Sequence, residues 1–187
     1  MTRPVTVAIT GGIAAGKSEA LAAFGRHGAA TASSDAVVHD LLAGDDEVRA
    51  AIRDRWDVDP SDRRAIAAIV FADADELAWL EALLHPRTRV AMDAWLRTVD
   101  APLAVAEIPL LYETGGEPRF DHVVVITAPR ETREGRRPAT DLRESRLIPD
   151  EEKAARADFA YVNDGSLADL DAFVASVVDR IASSSGA

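Results

Sequence analysis

The sequence predicts an α/β fold of three layers, with helices on both faces of a parallel sheet. Three observations carry that prediction. A β-branched apolar run at Val5–Thr10 and buried-type runs at Leu103–Ile108 and His122–Thr127 suit strands of a parallel sheet buried on both faces. Segments of helix-forming composition separate these runs, and strands alternating with helices pair in parallel. The first run also leads into Gly11-Gly12-Ile13-Ala14-Ala15-Gly16-Lys17-Ser18 and then a stretch rich in helix formers, the strand–loop–helix order of a phosphate-binding P-loop.

The loop spacing has a chemical reason. Gly11 and Gly16 let the backbone curl so that successive N–H groups converge into an anion-binding concavity. A helix starting near Gly16 adds the positive end of its dipole. Lys17 then reaches the β- and γ-phosphates of a nucleotide, and the Ser18 hydroxyl is the candidate ligand for Mg²⁺. Only Lys17 and Lys153 are lysines, against 19 arginines, so one of two lysines falls where the loop requires it. Glu19 follows directly, and a carboxylate there repels phosphate unless it turns away or is paired.

After the loop helix, Gly25 and Gly28 bracket a turn and Ala29–Ala32 reads as a short second strand. Ser33, Ser34 and Asp35 are placed to cap a helix reaching about Leu42. Asp35 therefore has two readings, a helix cap or a chemical residue. Helices follow at Glu47–Trp56, Arg63–Val70 and Asp75–Leu84, with another from His85-Pro86 to about Val99. Trp79, Leu80, Leu83 and Leu84 read as core, and His85 as a helix-end residue. Strand signals return in the two later runs, and Pro129 opens an arginine-rich helix. Phe159–Val162 is a last strand, and Leu167–Ile181 an amphipathic helix. The P-loop, Asp35, Pro109 and Ala128 would all open on the C-terminal edge of the sheet, where ligands of such folds bind. That convergence favours an enzyme.

Composition narrows the class. A chain of 187 residues suits one domain with a small inserted lobe. Without cysteine it has neither a disulfide framework nor a thiolate metal site. No apolar run reaches membrane-spanning length, so no membrane partner and a cytoplasmic location are expected. A net charge of −11 argues against nucleic acid as a partner. Between Arg130 and Arg146, however, six arginines face four acids, which suits one anionic small-molecule ligand. Oligomeric state is not legible.

Five stretches in order resemble the dephospho-coenzyme A kinases, P-loop kinases related in fold to the nucleoside monophosphate kinases. They are Ile9–Ser18, Ser34-Asp35-Ala36, Leu83-Leu84-His85-Pro86-Arg87, Ile108-Pro109-Leu110-Leu111-Tyr112-Glu113, and Pro149 through Lys153 and Asp158 to Val162-Asn163-Asp164-Gly165. The resemblance implies transfer of the γ-phosphoryl group of ATP, with Mg²⁺, to the ribose 3′-hydroxyl of dephospho-coenzyme A. It implies that Gly11, Gly12, Ile13, Ala14, Ala15, Gly16, Lys17, Ser18 and Glu19 line the ATP phosphates, and that Asn163 and Gly165 lie near adenine. Asp35 would orient or deprotonate the acceptor hydroxyl, while Arg136 and Arg143 neutralise the migrating charge. Asp35, His85, Arg87, Pro109, Leu110 and Leu111 would meet the acceptor. In these terms the core spans about 1–35, 101–129 and 157–187, a helical acceptor lobe about 36–100, and a short lid about 130–156. Ser33 replaces a usual acid, Glu19 a usual threonine, Leu147 a usual glutamine, and the lid lacks one arginine. A related P-loop kinase of another small hydroxyl acceptor, and a non-catalytic nucleotide-binding relative, are the alternatives.

Overall fold

The structure is a computed structural model that describes residues 3–136 and 147–184. It divides into two compact units, one of residues up to Ser33 and from Val99 onward, the other Ser34–Thr98.

The first unit holds five strands among the described residues: β1 (Val5–Gly11), β2 (Ala30–Ser33), β3 (Leu103–Glu107), β4 (His122–Thr127) and β5 (Phe159–Val162). Its α-helices are α1 (Lys17–Arg26), the arginine-rich α6 (Arg130–Arg136), α7 (Asp150–Arg156) and α8 (Leu167–Ser184). The second unit supplies α2 (Ser34–Gly44), α3 (Asp46–Trp56), α4 (Arg63–Ala72) and α5 (Ala74–Thr98). All strands pair in parallel, in the order β2-β3-β1-β4-β5. The central strand β1 runs between β3 and β4, and the chain crosses to opposite sides of it. The loop after β1 thus leaves the sheet at the point where strand order reverses, the ligand-binding position of open α/β sheets.

Each face is covered as the hydrophobic runs predict. Val7 and Ile9 of β1, Leu103 and Val105 of β3, and Val124 and Ile126 of β4 point to one face. There they meet Ala20, Ala23 and Phe24 of α1 and the apolar stripe Leu170, Val174, Val177 and Ile181 of α8. Burying each large side chain of this kind contributes roughly 1.5–3 kcal/mol over leaving it exposed. On the other face the short helix α7 packs on β4 and β1. This is the three-layer arrangement expected from the sequence.

The start of β1 is tied to the start of β4 by a polar clamp. Asp121 accepts from both terminal nitrogens of Arg3 at 2.8 and 2.6 Å, and from the Thr6 backbone N–H and hydroxyl at 2.9 Å each. The Arg3 guanidinium, and then the Thr6 donors, hold the Asp121 carboxyl down to about 2 from an ordinary 3.8, against an opposing push from partial burial.

The second unit is helical, and its core is Leu42, Val48, Ile52, Ile66, Val70, Leu80 and Leu84, with Trp79 and Leu83 partly buried against it. Aspartates start two of its helices. Asp45 accepts from Val48 N–H at 2.9 Å, and Asp62 from Arg64 and Ala65 N–H at 3.1 Å. Trp56 meets Trp79 edge to face at 4.9 Å and donates its indole N–H to Glu76 at 2.7 Å.

Two local expectations need correction. Asp75–Leu84 and the segment after Pro86 form one helix, α5, with Pro86 inside it. Proline removes one backbone donor, so the Ala82 carbonyl loses its i+4 N–H partner; the next carbonyl, Leu83, accepts from the Arg87 guanidinium at 3.0 Å. Leu80 and Leu84 before the proline are anchored in the core. Ser33 is not a cap residue but the last residue of β2, paired beside Glu107; the ladder claims its backbone.

Candidate active site

The loop after β1 is shaped by a few backbone features. Gly11 takes φ 136° and Gly16 φ 102°, both in the left-handed region that favours glycine. A side chain on Gly11 would strike the Ile126 backbone carbonyl of β4, so the loop can lie on the strand end only if that position is bare. Ala14 also takes a positive φ of 58°, a strain with no signal in the sequence. Gly16 then caps α1 without any side-chain partner, leaving the first N–H groups of the helix available to an anion.

Lys17, 9% exposed, donates its ammonium to the carbonyls of Gly11 at 3.2 Å and Gly12 at 2.8 Å. The charge is thereby folded back over its own loop. Ser18 is exposed and donates its hydroxyl to the Glu107 carboxylate at 3.2 Å. Glu107 ends β3 and is buried. It is a site residue that the sequence reading misses, although a carboxylate at the end of an otherwise apolar buried run is an available signal. The Ser18 hydroxyl and Glu107 carboxylate are hard oxygen donors, which suits Mg²⁺. That ion is typically held by one or two protein oxygens together with substrate phosphates rather than by a full protein cage.

Glu19 does not aim its charge into the loop. It pairs with Arg26 at 3.2 Å, about two turns along α1. Arg26 in turn pairs with Asp171 of α8 at 2.9 Å. The repulsion anticipated from sequence is met by pairing.

Residues from beyond β4 close around the loop. Asn163 follows β5 and is 4% exposed; its amide donates to the Ala15 carbonyl at 2.8 Å. From the end of α6, Arg136 donates to the carbonyls of Ala14 at 3.2 Å and Ala15 at 3.3 Å. Asp150, first residue of α7, lies close over the loop, since a Cβ added to Gly12 would stand 2.5 Å from its Oδ2. Gly165 faces Asp169, whose carboxylate accepts from the Ser166 N–H at 2.8 Å and hydroxyl at 2.7 Å and so opens α8.

The segment after β3 is fixed to β1. Ile108 N–H donates to the Ile9 carbonyl at 2.9 Å, and the Thr10 hydroxyl to the Pro109 carbonyl at 3.1 Å. Pro109 and Leu110 are half-buried, whereas Leu111 is fully enclosed. Beyond it, Glu113 pairs with Lys153 at 2.7 Å.

Other sequence-selected residues lie in the helical unit. Asp35 sits in the first turn of α2, exposed, and makes no side-chain hydrogen bond or ion pair among the described residues. Its carboxylate accepts no N–H at the start of α2, although in the first turn it lies near the positive end of the helix dipole. His85 and Arg87 fall within α5, and Arg87 is engaged by Glu47 at 2.9 Å as well as by Leu83. Arg143 lies outside the described residues.

The family model described as dephospho-CoA kinase matches residues 5–169. The chain belongs to the dephospho-CoA kinase family. Among curated relatives, the dephospho-CoA kinase of Mesorhizobium japonicum is 37% identical over 95% of this chain and 96% of its own length. That of Thermus thermophilus is 33% identical, over 95% and 92%. A crystal structure from Thermus thermophilus superposes with TM-score 0.80 at 34% identity, covering 96% of this chain and 98% of that one. The dephospho-CoA kinase structure from Campylobacter jejuni gives TM-score 0.68 at 25% identity over the same shares. Membership of the dephospho-CoA kinase family thus extends over sheet, loop and both units, as the motif resemblance implied. No described helix is long and apolar enough to cross a membrane.

Proposed function

We propose that the chain transfers the γ-phosphoryl group of ATP to the ribose 3′-hydroxyl of dephospho-CoA, giving CoA and ADP. The observation that carries this reading is the formed phosphate loop, with Lys17 folded over Gly11 and Gly12, in a chain of the dephospho-CoA kinase family. The hydroxyl oxygen bonds to the γ-phosphorus as the bond to the β-bridging oxygen breaks, and ADP leaves. The loop N–H groups and Lys17 bind the phosphates, and Arg136 with Arg143 offsets charge on the migrating group. Asp35 takes the hydroxyl proton. Ser18, with Glu107 nearby, would hold Mg²⁺, and that ion would supply neutralisation of phosphate charge. His85, Arg87, Pro109, Leu110 and Leu111 are the proposed acceptor contacts, Asn163 and Gly165 the residues near adenine, residues 130–156 the lid, and the cytoplasm the location.

The test is ADP release by a coupled assay with dephospho-CoA against a panel of nucleosides and other small alcohols. Turnover confined to dephospho-CoA supports the reading. Turnover with another alcohol alone, or ATP binding without turnover, would replace it with one of the two alternatives. In the same assay Asp35→Asn should lower kcat by about 10²-fold or more, the range of a general base, while the ATP KM stays within about twofold.

A further inference from the structure

Family resemblance places Asn163 near adenine, and its side chain also makes a bond to the phosphate loop. Its backbone is locked, because Asn163 N–H donates to the Thr127 carbonyl at 2.7 Å and so extends the β4–β5 ladder by one rung. From that fixed point, its amide reaches the Ala15 carbonyl at 2.8 Å. It lies so close under Gly16 that a Cβ there would collide with the amide nitrogen. The amide is therefore enclosed between strand end and loop.

In a trans peptide the carbonyl and the following N–H point in opposite directions. A donor that captures the Ala15 carbonyl from outside the loop therefore turns the Gly16 N–H the other way. Arg136 reinforces this by donating to the same carbonyl and to that of Ala14. Converging N–H groups are what make such a loop bind anions, so the orientation of the Ala15–Gly16 peptide bears directly on phosphate binding. Gly16, at φ 102° and without a side chain, offers little resistance to rotation of that peptide. An external tie is needed.

We infer that Asn163 is a positioning residue for the phosphate loop, acting through the Ala15 carbonyl to present the Gly16 N–H to the nucleotide phosphates. This rests on the P-loop reading of the site but not on the identity of the acceptor.

The experiment separates it from an adenine contact by comparing ATP with tripolyphosphate, which has no base. Dissociation constants for both are measured by calorimetry on the full chain and on Asn163→Leu, which keeps much of the shape, cannot donate and adds no charge. Asn163→Ala serves as a second variant should Asn163→Leu fold poorly, and thermal unfolding is followed throughout. Affinity for tripolyphosphate and for ATP should fall by the same factor, about tenfold, in both variants. Loss for ATP with tripolyphosphate unchanged would assign Asn163 to adenine and overturn the inference, as would unchanged affinity for both. Because no acceptor is present, a failure of dephospho-CoA turnover leaves this comparison intact.

Discussion

The chain's other lysine offers the sharpest test of how the site is held. Lys153 lies in α7 with 0% of its side chain exposed, and its ammonium stands 2.7 Å from Glu113, itself 13% exposed. Glu113 also accepts from the Ile148 N–H at 3.1 Å. The pair thus joins the segment after β3 to α7, whose first residue Asp150 rests over Gly12. Lys153→Met keeps the apolar stem and removes the charge, leaving a buried carboxylate unpaired. Removing one partner of a buried pair costs about 3–5 kcal/mol, and the residual exposure of Glu113 places the value near the lower end, roughly 3 kcal/mol. For a chain of this size each kcal/mol moves Tm by roughly 2–4 °C, so Tm should fall about 6–12 °C. The double variant Lys153→Met/Glu113→Gln should regain most of that loss, because no buried charge is left and the introduced amide carbonyl can still accept from Ile148. Calorimetric melts of the three proteins decide. A single variant within about 2 °C of the parent, less than one kcal/mol on that scale, or a double variant as unstable as the single, would refute the reasoning.

Lys17→Ala should abolish phosphoryl transfer, and near-parental turnover in steady-state assays would remove the P-loop assignment. Arg136→Ala should cut single-turnover rates at least tenfold with little change in Tm, since Arg136 reaches the loop carbonyls. Arg130→Ala should do little, because Arg130 is exposed and pairs with Glu134 within α6; equal rates in the two variants would count against the difference. Asp121 has its pKa depressed to about 2 in the folded chain, so the stability it contributes is present above its unfolded value and is lost as pH falls from about 4 through 2. Its side chain is 28% exposed, which limits the contribution to about 1–2 kcal/mol after screening. Thermal melts should show Asp121→Asn losing less stability than the parent between pH 5 and 2.

What the sequence makes legible follows from how far each signal reaches along the chain. The three central strands β1, β3 and β4 are readable because burial on both sheet faces writes itself as apolar runs, the edge strands β2 and β5 are shorter and partly exposed, and the P-loop writes its backbone demands as glycines. Asp35 can be singled out but not decided, since a capping acid and a catalytic acid look alike until the hydrogen bonds are known. The single helix α5 is not readable, because Pro86 is a local stop signal, whereas the burial of Leu80 and Leu84 that anchors the helix depends on residues distant in sequence. Glu107 stands out as an acid at the end of an apolar run, but the run itself does not say what the acid is for. Its meaning lies in the loop after the neighbouring strand, 89 residues away, where Ser18 donates to it.

The same separation of scales explains why Glu19, the least expected residue in the loop, fits. A carboxylate one residue past Ser18 is unfavourable beside phosphate only if its charge points there. In α1 that position is followed by Arg26 about two turns on, and Arg26 is itself drawn outward by Asp171 of α8. A charge chain across the helix pair therefore carries the Glu19 carboxylate away from the first-turn N–H groups of α1. The departure from the family's usual threonine is compensated at Arg26, close in sequence, and at Asp171, which lies 145 positions beyond Arg26. These pairings lie on the partly exposed faces of α1 and α8, apart from the contacts that Lys17 makes with Gly11 and Gly12 and Ser18 with Glu107, so Glu19 is compatible with the phosphate-binding role proposed for the loop.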